Sequence, residues 1–217
     1  MSLPKPYYED EEHGIVIYNA DCRDILPHLP KVDLLLTDPP YGIDFAGQPT
    51  NYQRLAGMKP KSWDKKAPVL TEWVQLAAHA CIWGGNYFQL PPKRGWLAWY
   101  KRDSPESFGD LELAWTTCET VTRLFDWTIS ATNRERVGHP TQKPLALMLW
   151  CLGFFPKTQT VLDPFMGSGT TLVACKQLGR KCIGIEIDEK YCEIAARRLS
   201  QGMLFGQGEL AQIGGGK

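Results

Sequence analysis

One segment, from residue 160 to residue 187, restricts the fold of this chain more than any other. The run Thr160 to Asp163 predicts a buried strand, and the residues up to Thr171 form a glycine-rich turn before a predicted helix from Leu172 to Leu178. The β-branched run Lys181 to Ile187 then predicts a second strand. Strand, glycine-rich turn, helix and strand in this order are typical of a parallel sheet covered by helices.

The glycine-rich turn predicts a ligand-binding loop. Gly167 and Gly169 would let the backbone approach a ligand closely. The turn lacks the lysine of the phosphate-binding pattern G-x-x-x-x-G-K-[ST], and the carboxylate of Asp163 would repel a phosphate. A ligand with sulfonium and ammonium groups therefore suits the turn better. Glu186, at the end of the next strand, is placed to bind ribose hydroxyls.

A second motif, Asp38-Pro39-Pro40-Tyr41, follows the apolar run Val32 to Leu36, which predicts another buried parallel strand. The prolines and Gly42 end this strand, because proline lacks the N–H that a sheet ladder needs. Ligands of open α/β sheets bind at such carboxyl ends. Asp38 and the Pro39 carbonyl could accept both N–H bonds of the exocyclic amine of adenine or cytosine, with Tyr41 stacking on a flipped base. A strand-terminating turn with a surface Asp is the simpler alternative.

The remaining elements are predicted from periodicity. Helices are expected at about Cys22 to His28, Val69 to Ala80, Pro144 to Phe154 and Asp188 to Leu199. Asp21, before the first helix, is either its N-cap or a ligand-binding residue. Arg197 and Arg198 are expected on the outer side of the last helix. Further strands are expected at Gly14 to Tyr18, Cys81 to Trp83, Trp96 to Tyr100, Leu111 to Thr117 and Val121 to Phe125. The tryptophans favour a core over a base-stacking surface. Glu112 is unusual inside a buried strand.

Composition limits the class of protein. The 217 residues, 43% of them hydrophobic, are enough for one α/β domain, which we expect to span residues 1–217. Lys and Arg number 24 and so do Asp and Glu, so any nucleic-acid binding needs a local basic patch. Seven scattered cysteines without Cys-x-x-Cys spacing favour reduced thiols in the cytoplasm and argue against zinc. The sequence shows no signal peptide and no long apolar run, so nothing in it indicates export or a membrane span.

A long segment from about residue 42 to residue 66 lacks apolar periodicity. It combines basic residues with aromatic ones, and the members are Arg54, Lys59, Lys61, Lys65, Lys66, Phe45, Tyr52 and Trp63. Such a composition suits phosphate contact and base stacking. We expect a mobile lid that contacts DNA, with a solvated loop as the alternative.

Four motifs together resemble those of the β-class DNA amino-methyltransferases, which act on adenine N6 or cytosine N4. They are Asp38 to Tyr41, His139 to Pro144, Asp163 to Thr171 and Gly184 to Asp188. They also follow that class's permuted order, with the catalytic motif first and the cofactor loop late. The resemblance implies a Rossmann-like methyltransferase sheet, mostly parallel with one antiparallel strand, helices on both faces and a circularly permuted order.

The resemblance also implies the site residues and the cofactor, S-adenosylmethionine. The catalytic residues would be Asp38, Pro39, Pro40 and Tyr41. Asp163, Phe165, Gly167, Ser168 and Gly169 would line the methionine part of the cofactor, Glu186 its ribose, Asp21 and Cys22 its adenine, and Thr141, Gln142 and Lys143 its carboxylate. Asp38 and Thr170 would also bind the cofactor. Direct transfer from sulfur to nitrogen would need neither a metal nor a covalent intermediate.

The implied activity is methylation of adenine N6 in duplex DNA with base flipping, as in restriction–modification. Asp in first position favours adenine, since Ser-Pro-Pro-Tyr is commoner for N4-cytosine, which remains the alternative. Related RNA and protein enzymes place the cofactor loop before the catalytic motif. A non-catalytic DNA-binding or scaffolding subunit is the alternative from another class, although such relatives usually lose the carboxylate or the glycine turn. Residues 103–138 leave room only for a reduced target-recognition region. Recognition of the DNA sequence could therefore depend on a homodimer or on the lid.

Overall fold

The computed structural model describes residues 3–43, 67–105, 109–139 and 141–201. In this part of the chain nine strands form one sheet in the order β1-β2-β9-β8-β3-β4-β6-β5-β7. The strands are β1 (Tyr8–Asp10), β2 (Ile15–Asn19), β3 (Val32–Thr37), β4 (Ala77–Trp83), β5 (Trp96–Tyr100), β6 (Leu111–Thr116), β7 (Arg123–Asp126), β8 (Thr160–Asp163) and β9 (Lys181–Glu186). The helices are α1 (Cys22–Ile25), α2 (Ile129–Arg134), α3 (Leu145–Gly153), α4 (Thr170–Gln177) and α5 (Glu189–Ser200).

The sheet is mostly parallel. Strands β2, β9, β8, β3 and β4 all run in one direction, and β6 lies antiparallel between β4 and β5. Strand β7 pairs parallel to β5 at one edge, and the short β1 pairs antiparallel to β2 at the other. The predicted fold is therefore confirmed, with β1 as an addition that the sequence did not reveal.

Helices cover both faces of the sheet, as predicted. Helices α3, α4 and α5 pack on one face, where Leu147, Leu172 and Cys192 are completely buried. Helix α1 packs on the other face, where Ile25 is buried against the sheet. Alternate residues of each strand point to opposite faces, so two separate apolar layers form around one sheet.

The tryptophans of the central strands belong to the core, as predicted. Trp83 and Trp115 are almost completely buried, and Trp99 is 4% exposed. The indole N–H of Trp115 donates to the carbonyl of Pro91 at 2.7 Å, so this side chain is buried with its polar atom satisfied.

One prediction of secondary structure was wrong, and one helix was missed. Residues Val69 to Ala80 do not form an α-helix, because Trp73–Leu76 is a short 3₁₀ helix and β4 begins at Ala77. The Ala-rich start of β4 favours a helix locally, but its pairing with β3 overrides that propensity. Residues 126–138, a polar segment for which no element was predicted, contain α2. This helix is too short to show apolar periodicity, although Thr128 caps it by accepting from the Ala131 N–H at 3.1 Å.

The strand order creates a ligand crevice. Strands β8 and β3 are neighbours, but the chain continues from β8 to β9 on one side and from β3 to β4 on the other. Such a switch point is where open α/β sheets bind ligands, outside the carboxyl ends of the strands. Both predicted motifs start at this edge, one after β3 and one after β8.

Across the described ranges, none of the helices has the length and apolar character needed to cross a membrane.

Candidate active site

A cavity of about 860 Å³ opens at the switch point. Its walls include the Asp38–Tyr41 motif on one side and the glycine-rich turn on the other, with Glu186 beyond the turn. This volume falls at the upper end of the usual range for sites that enclose small ligands. The structure therefore brings the motifs that the sequence linked by resemblance into one cavity.

The glycine-rich turn has a conformation that depends on glycine. Gly167 and Gly169 have φ angles of 51° and 78°, in the left-handed region that other residues rarely adopt. A Cβ atom at Gly169 would lie 2.7 Å from Cβ of Ala195, so a side chain has no room there. Gly169 is also the N-cap of α4, so the turn directs backbone N–H groups toward the cavity.

Asp163 lies at the end of β8 and is 3% exposed. One carboxylate oxygen accepts from the Thr37 hydroxyl at 2.8 Å and from the Phe165 N–H at 3.2 Å. Burial raises the pKa of this carboxyl to about 6, although these hydrogen bonds act in the opposite direction. A cationic group in the cavity would favour the ionised form.

Glu186 connects the end of β9 to the turn. Its carboxylate accepts from the Asp188 N–H at 2.8 Å and from the Gly167 N–H at 3.1 Å. Burial raises the pKa of Glu186 above its ordinary value despite these bonds. Each oxygen keeps a further lone pair, so the side chain is fixed and could still accept hydrogen bonds from a diol.

Asp38 and Tyr41 form the opposite wall. The Tyr41 hydroxyl donates to one oxygen of Asp38 at 2.6 Å. The Tyr41 ring stacks on Tyr87, with centroids 5.0 Å apart and planes at 15°. A Cβ atom at Gly84, which has a φ of 65°, would lie 2.1 Å from the Tyr41 ring, so glycine is required where β4 ends.

The second oxygen of Asp38 accepts from the Lys143 ammonium at 2.5 Å. Lys143 also lies 2.9 Å from Glu112, and Glu112 forms a further ion pair with Lys101. Burial and the nearby Glu112 raise the pKa of Asp38, while Lys143 acts against them. Burial would raise the pKa of Glu112, but the two lysines outweigh it and lower that pKa to about 2.

Lys143 makes contacts that the sequence did not predict. The sequence grouped it with Thr141 and Gln142 at the carboxylate end of the cofactor, whereas its ammonium lies against Asp38 and Glu112. Two buried carboxylates attract an ammonium more strongly than a site that offers it one partner. Lys143 is therefore part of the catalytic wall, and no local sequence signal indicated this contact.

Gln142 joins two segments of the cavity wall. Its side-chain oxygen accepts from the Val137 N–H at 3.1 Å and from the Ser168 hydroxyl at 3.3 Å, and its amide group donates to the Glu135 carbonyl at 3.0 Å. Thr141 also lines the cavity, and its N–H donates to Nδ1 of His139 at 3.3 Å. The predicted residues Thr141 and Gln142 thus lie beside the glycine-rich turn.

Arg198 was expected outside the fold but lies beneath the turn. Its guanidinium donates to the Ser168 carbonyl at 2.7 Å and to the Thr170 hydroxyl at 3.1 Å. Burial lowers its pKa, an effect that Glu135 partly offsets. Only Arg197 points outward, where it pairs with Glu193 at 2.8 Å. The helical spacing does distinguish these neighbours, because Arg198 follows Tyr191 by seven positions and Ala195 by three and so lies on the apolar stripe of α5, whereas Arg197 does not.

Two predicted cofactor residues do not line the cavity. Asp21 accepts from the backbone N–H of Arg23 at 2.9 Å and caps α1, which is the structural alternative considered for it. Cys22 is 8% exposed and packs with the core on the α1 face. The Asp21 carboxylate is thus used as an N-cap, and its predicted place at the cofactor's adenine stays a prediction.

The other predicted cofactor and catalytic residues lie at the cavity or directly beside it. Those in its walls are Asp38, Pro39, Pro40, Tyr41, Thr141, Gln142, Lys143, Asp163, Phe165, Gly167, Ser168, Thr170 and Glu186, and Gly169 adjoins them. The predicted lid lies outside the described residues except for its first two positions, 42 and 43.

Helix α2 lies at the rim of the cavity, within the predicted recognition region. Asp103 fixes its start by accepting from the Ser130 N–H at 3.0 Å. Asn133 lines the rim and is exposed, as is the neighbouring Arg134. Within residues 103–138, the segments Leu111–Thr116 and Arg123–Asp126 form β6 and β7 of the sheet.

Comparison with known proteins gives independent support. A family model described as DNA methylase matches residues 100–197. The type II methyltransferase M2.LlaDCHI of Lactococcus lactis subsp. cremoris is 26% identical over 94% of this chain and 95% of its own. M.HpaI of Haemophilus parainfluenzae is 48% identical, but over 31% of this chain and 22% of its own.

Solved structures agree. The M1.HpyAVI–SAM complex superimposes with a TM-score of 0.57 at 26% identity, covering 86% of this chain and all of the other. The cytosine-N4-specific PvuII DNA methyltransferase has a TM-score of 0.57 at 14% identity, covering 96% of this chain and 93% of its own, which shows the fold alone.

The fold and the cavity define a Rossmann-like methyltransferase. An acidic wall and a glycine turn without a phosphate-binding lysine fit a cationic cofactor with a ribose, and the cofactor is S-adenosylmethionine. The chain is similar to the N6/N4 DNA methyltransferases, over residues 100–197 in the family model and over most of its length in the type II relatives. The predicted resemblance and the predicted cofactor are confirmed.

Proposed function

We propose that this enzyme methylates the N6 amine of adenine in duplex DNA, after the base has been flipped into the cavity. The observation that carries the proposal is the position of Asp38, whose carboxylate faces the cavity across from the glycine-rich turn. A base in the space between them would present its amine to the carboxylate and to the cofactor's methyl group together.

Asp38 acts on the amine as a hydrogen-bond acceptor. The nitrogen lone pair of adenine is delocalised into the ring, so the amine is a poor nucleophile. Asp38 and the Pro39 carbonyl accept its two N–H bonds, which favours a pyramidal nitrogen whose lone pair points out of the ring plane. This interaction strengthens in the transition state and so lowers the barrier.

When bound, the cofactor would supply an electrophilic methyl group, and the electrons of its carbon–sulfur bond would pass to sulfur as the amine nitrogen bonds to the methyl carbon. The amine then loses one N–H proton. Asp38 is placed to take this proton and pass it to solvent. The donor bonds from Tyr41 and Lys143 hold the carboxylate still while this occurs.

Tyr41 supports the flipped base. Its ring belongs to a stack with Tyr87, which is 49% exposed. Base flipping costs the stacking energy of the duplex, and contact with aromatic side chains recovers part of it. The proposal assigns the base to the space next to this aromatic pair.

The cofactor residues act as a preformed frame. Asp163 and the backbone around Gly167 and Ser168 hold the methionine part, and Glu186 accepts from the ribose hydroxyls. Arg198 and Gln142 hold the turn from behind through Ser168. These residues bind and orient the cofactor without taking part in bond changes.

Adenine is favoured over cytosine by the first residue of the catalytic motif. Enzymes that resemble this chain and act on cytosine N4 more often carry Ser at the position of Asp38. A carboxylate accepts more strongly than a hydroxyl, which suits an amine whose proton must also be lost.

DNA contact outside the base pocket is assigned to the rim. Helix α2 presents Asn133 and Arg134, whose side chains can bind base edges or phosphates. With so small a rim element in residues 103–138, the proposal includes a short recognition sequence and a contribution from the lid at residues 42–66 within one methyltransferase domain.

The test is transfer of labelled methyl groups to unmethylated duplex DNA, followed by mass spectrometry of the nucleosides. N6-methyladenine is the expected product. N4-methylcytosine would keep the cofactor and the fold but refute the choice of base, and the absence of any product on DNA with intact cofactor binding would refute DNA as the substrate.

A further inference from the structure

Four charged side chains alternate in sign along the catalytic wall. Asp38, Lys143, Glu112 and Lys101 form three consecutive ion pairs, of which the central one joins Lys143 and Glu112 at 2.9 Å. Asp38 follows β3, Lys143 precedes α3, Glu112 is the second residue of β6, and Lys101 follows β5. Four separate parts of the chain therefore meet in one row of charges.

Lys143 is deeply buried in this row, with a side chain 8% exposed. Its ammonium lies 5.9 Å from the ring centres of Trp83 and Tyr41, so it is surrounded by aromatic surface. An ammonium has three donors, and those of Lys143 face Asp38, Glu112 and, at 3.5 Å, the Tyr41 hydroxyl. These partners fix its position.

The orientation of Asp38 depends on the same ammonium. Tyr41 donates to one oxygen and Lys143 to the other, which leaves a lone pair on each oxygen for the target amine. Without Glu112, Asp38 would be the one carboxylate left in an ion pair with the Lys143 ammonium. The ion pair would then tighten, and the ammonium would repel the positive charge that develops on the amine.

We infer that Glu112 is a positioning residue for methyl transfer. It holds the Lys143 ammonium between two carboxylates, and it balances that charge so that Asp38 stays oriented and negative toward the target amine. Lys101 in turn neutralises Glu112 in the buried wall. This inference rests on the proposed role of Asp38 in amine methylation and adds a residue that touches neither base nor cofactor in that proposal.

The test variant is Glu112→Gln, which keeps the shape of the side chain and one acceptor for Lys143 but removes the charge. We expect kcat to fall by about 10²-fold, since a small misplacement of a catalytic group has effects of this size. The KM for DNA and the calorimetric affinity for S-adenosylmethionine should remain within about twofold, because the glycine-rich turn is separate from this row.

A double variant separates positioning from a purely structural role. Glu112→Gln leaves Lys101 buried without its carboxylate, which lowers stability by itself. Adding Lys101→Met removes that unpaired charge, so the unfolding temperature should recover while kcat stays low relative to Lys101→Met alone. Recovery of kcat together with stability would overturn the inference.

The matched control is Asp10→Asn. It disrupts another partly buried ion pair, between Asp10 and Lys176 at 2.8 Å, which lies outside the cavity wall. This variant should lose stability and keep its kcat, which shows that the assay does not simply report a weakened fold.

All rates are ratios to the unsubstituted enzyme on the same duplex, so the result holds for whichever base is methylated. Wild-type turnover by Glu112→Gln would overturn the inference and leave the proposed function intact. An unsubstituted enzyme that methylates no DNA would refute the proposed function, and the inference with it.

Discussion

The two walls of the cavity are built in different ways. In the cofactor wall, three of the four hydrogen bonds described for the carboxylates come from backbone N–H groups within 19 positions, such as Gly167 with Glu186, and the fourth comes from the distant Thr37 hydroxyl. In the catalytic wall, side chains bind side chains, and Asp38 and Lys143 are 105 positions apart.

This difference explains what a substitution should do in each wall. Backbone donors are present whatever the residue type, so the cofactor wall depends mainly on glycines and on two carboxylates. The catalytic wall needs several particular side chains together, and removal of any one leaves a buried charge without its partner. Substitutions in the cofactor wall should therefore lower the affinity for S-adenosylmethionine, and substitutions in the catalytic wall should lower kcat.

The largest effect is expected from Lys143→Met. Loss of the ammonium leaves Asp38 and Glu112 facing each other as like charges, so kcat should fall by about 10³-fold. Calorimetry should give an unchanged affinity for S-adenosylmethionine. Lys176→Met, which removes a partly buried lysine paired with Asp10, is the control for lost stability. A weaker cofactor affinity with normal kcat would instead support the sequence-based assignment of Lys143 to the cofactor.

Two glycine variants should separate the walls next. Gly84→Ala would push a methyl group into the Tyr41 ring and lower kcat, whereas Gly169→Ala would push against Ala195 and lower cofactor affinity, each by about tenfold or more. Gly179→Ala is the matched control, because Gly179 has a φ of 66° and open space around it. It should cost only the strain of the left-handed backbone, about 1 kcal/mol, in denaturant unfolding. If Gly84→Ala weakened cofactor binding as much as Gly169→Ala does, the walls would not be independent.

Glu186→Ala should weaken S-adenosylmethionine binding by at least about tenfold, since one hydrogen bond to a charged group contributes about 1.5–3 kcal/mol. The turnover rate at saturating cofactor should change little. Glu186→Gln is the comparison variant, since it keeps an acceptor but loses the charge. An unchanged affinity of Glu186→Ala in calorimetry would remove Glu186 from the ribose site.

The smallest effect concerns pH. The pKa of Asp163 is raised to about 6, so its carboxyl is largely protonated below that pH. A cationic cofactor favours the ionised form, so affinity should rise with pH up to about 6 and then level off, by no more than about tenfold per pH unit. Calorimetry from pH 5 to pH 8 measures this, and Asp163→Asn should abolish the dependence. Because Asp38 and Glu186 also have raised pKa values, a dependence that survives in Asp163→Asn would assign the proton to one of them.

The same contrast explains what the sequence could predict. The β8 to β9 unit was predicted closely, because its turn, glycines and terminal acid lie within a single short segment. The partners of Glu112 could not be predicted, although a charge inside an apolar strand indicated that partners exist. The inward position of Arg198 could have been predicted from its helical spacing to Tyr191 and Ala195, whereas the strand at Ala77 depends on pairing with β3, which local patterns do not report.

The most direct test of the account uses Asp38→Asn, which keeps the size and one acceptor oxygen of the side chain. Single-turnover methyl transfer to duplex DNA would be measured at saturating S-adenosylmethionine, with cofactor affinity determined on the same samples. We expect a loss of at least about 10²-fold in the transfer rate with cofactor affinity unchanged. A variant that transfers methyl groups at close to the normal rate would contradict the central role of the Asp38 carboxylate.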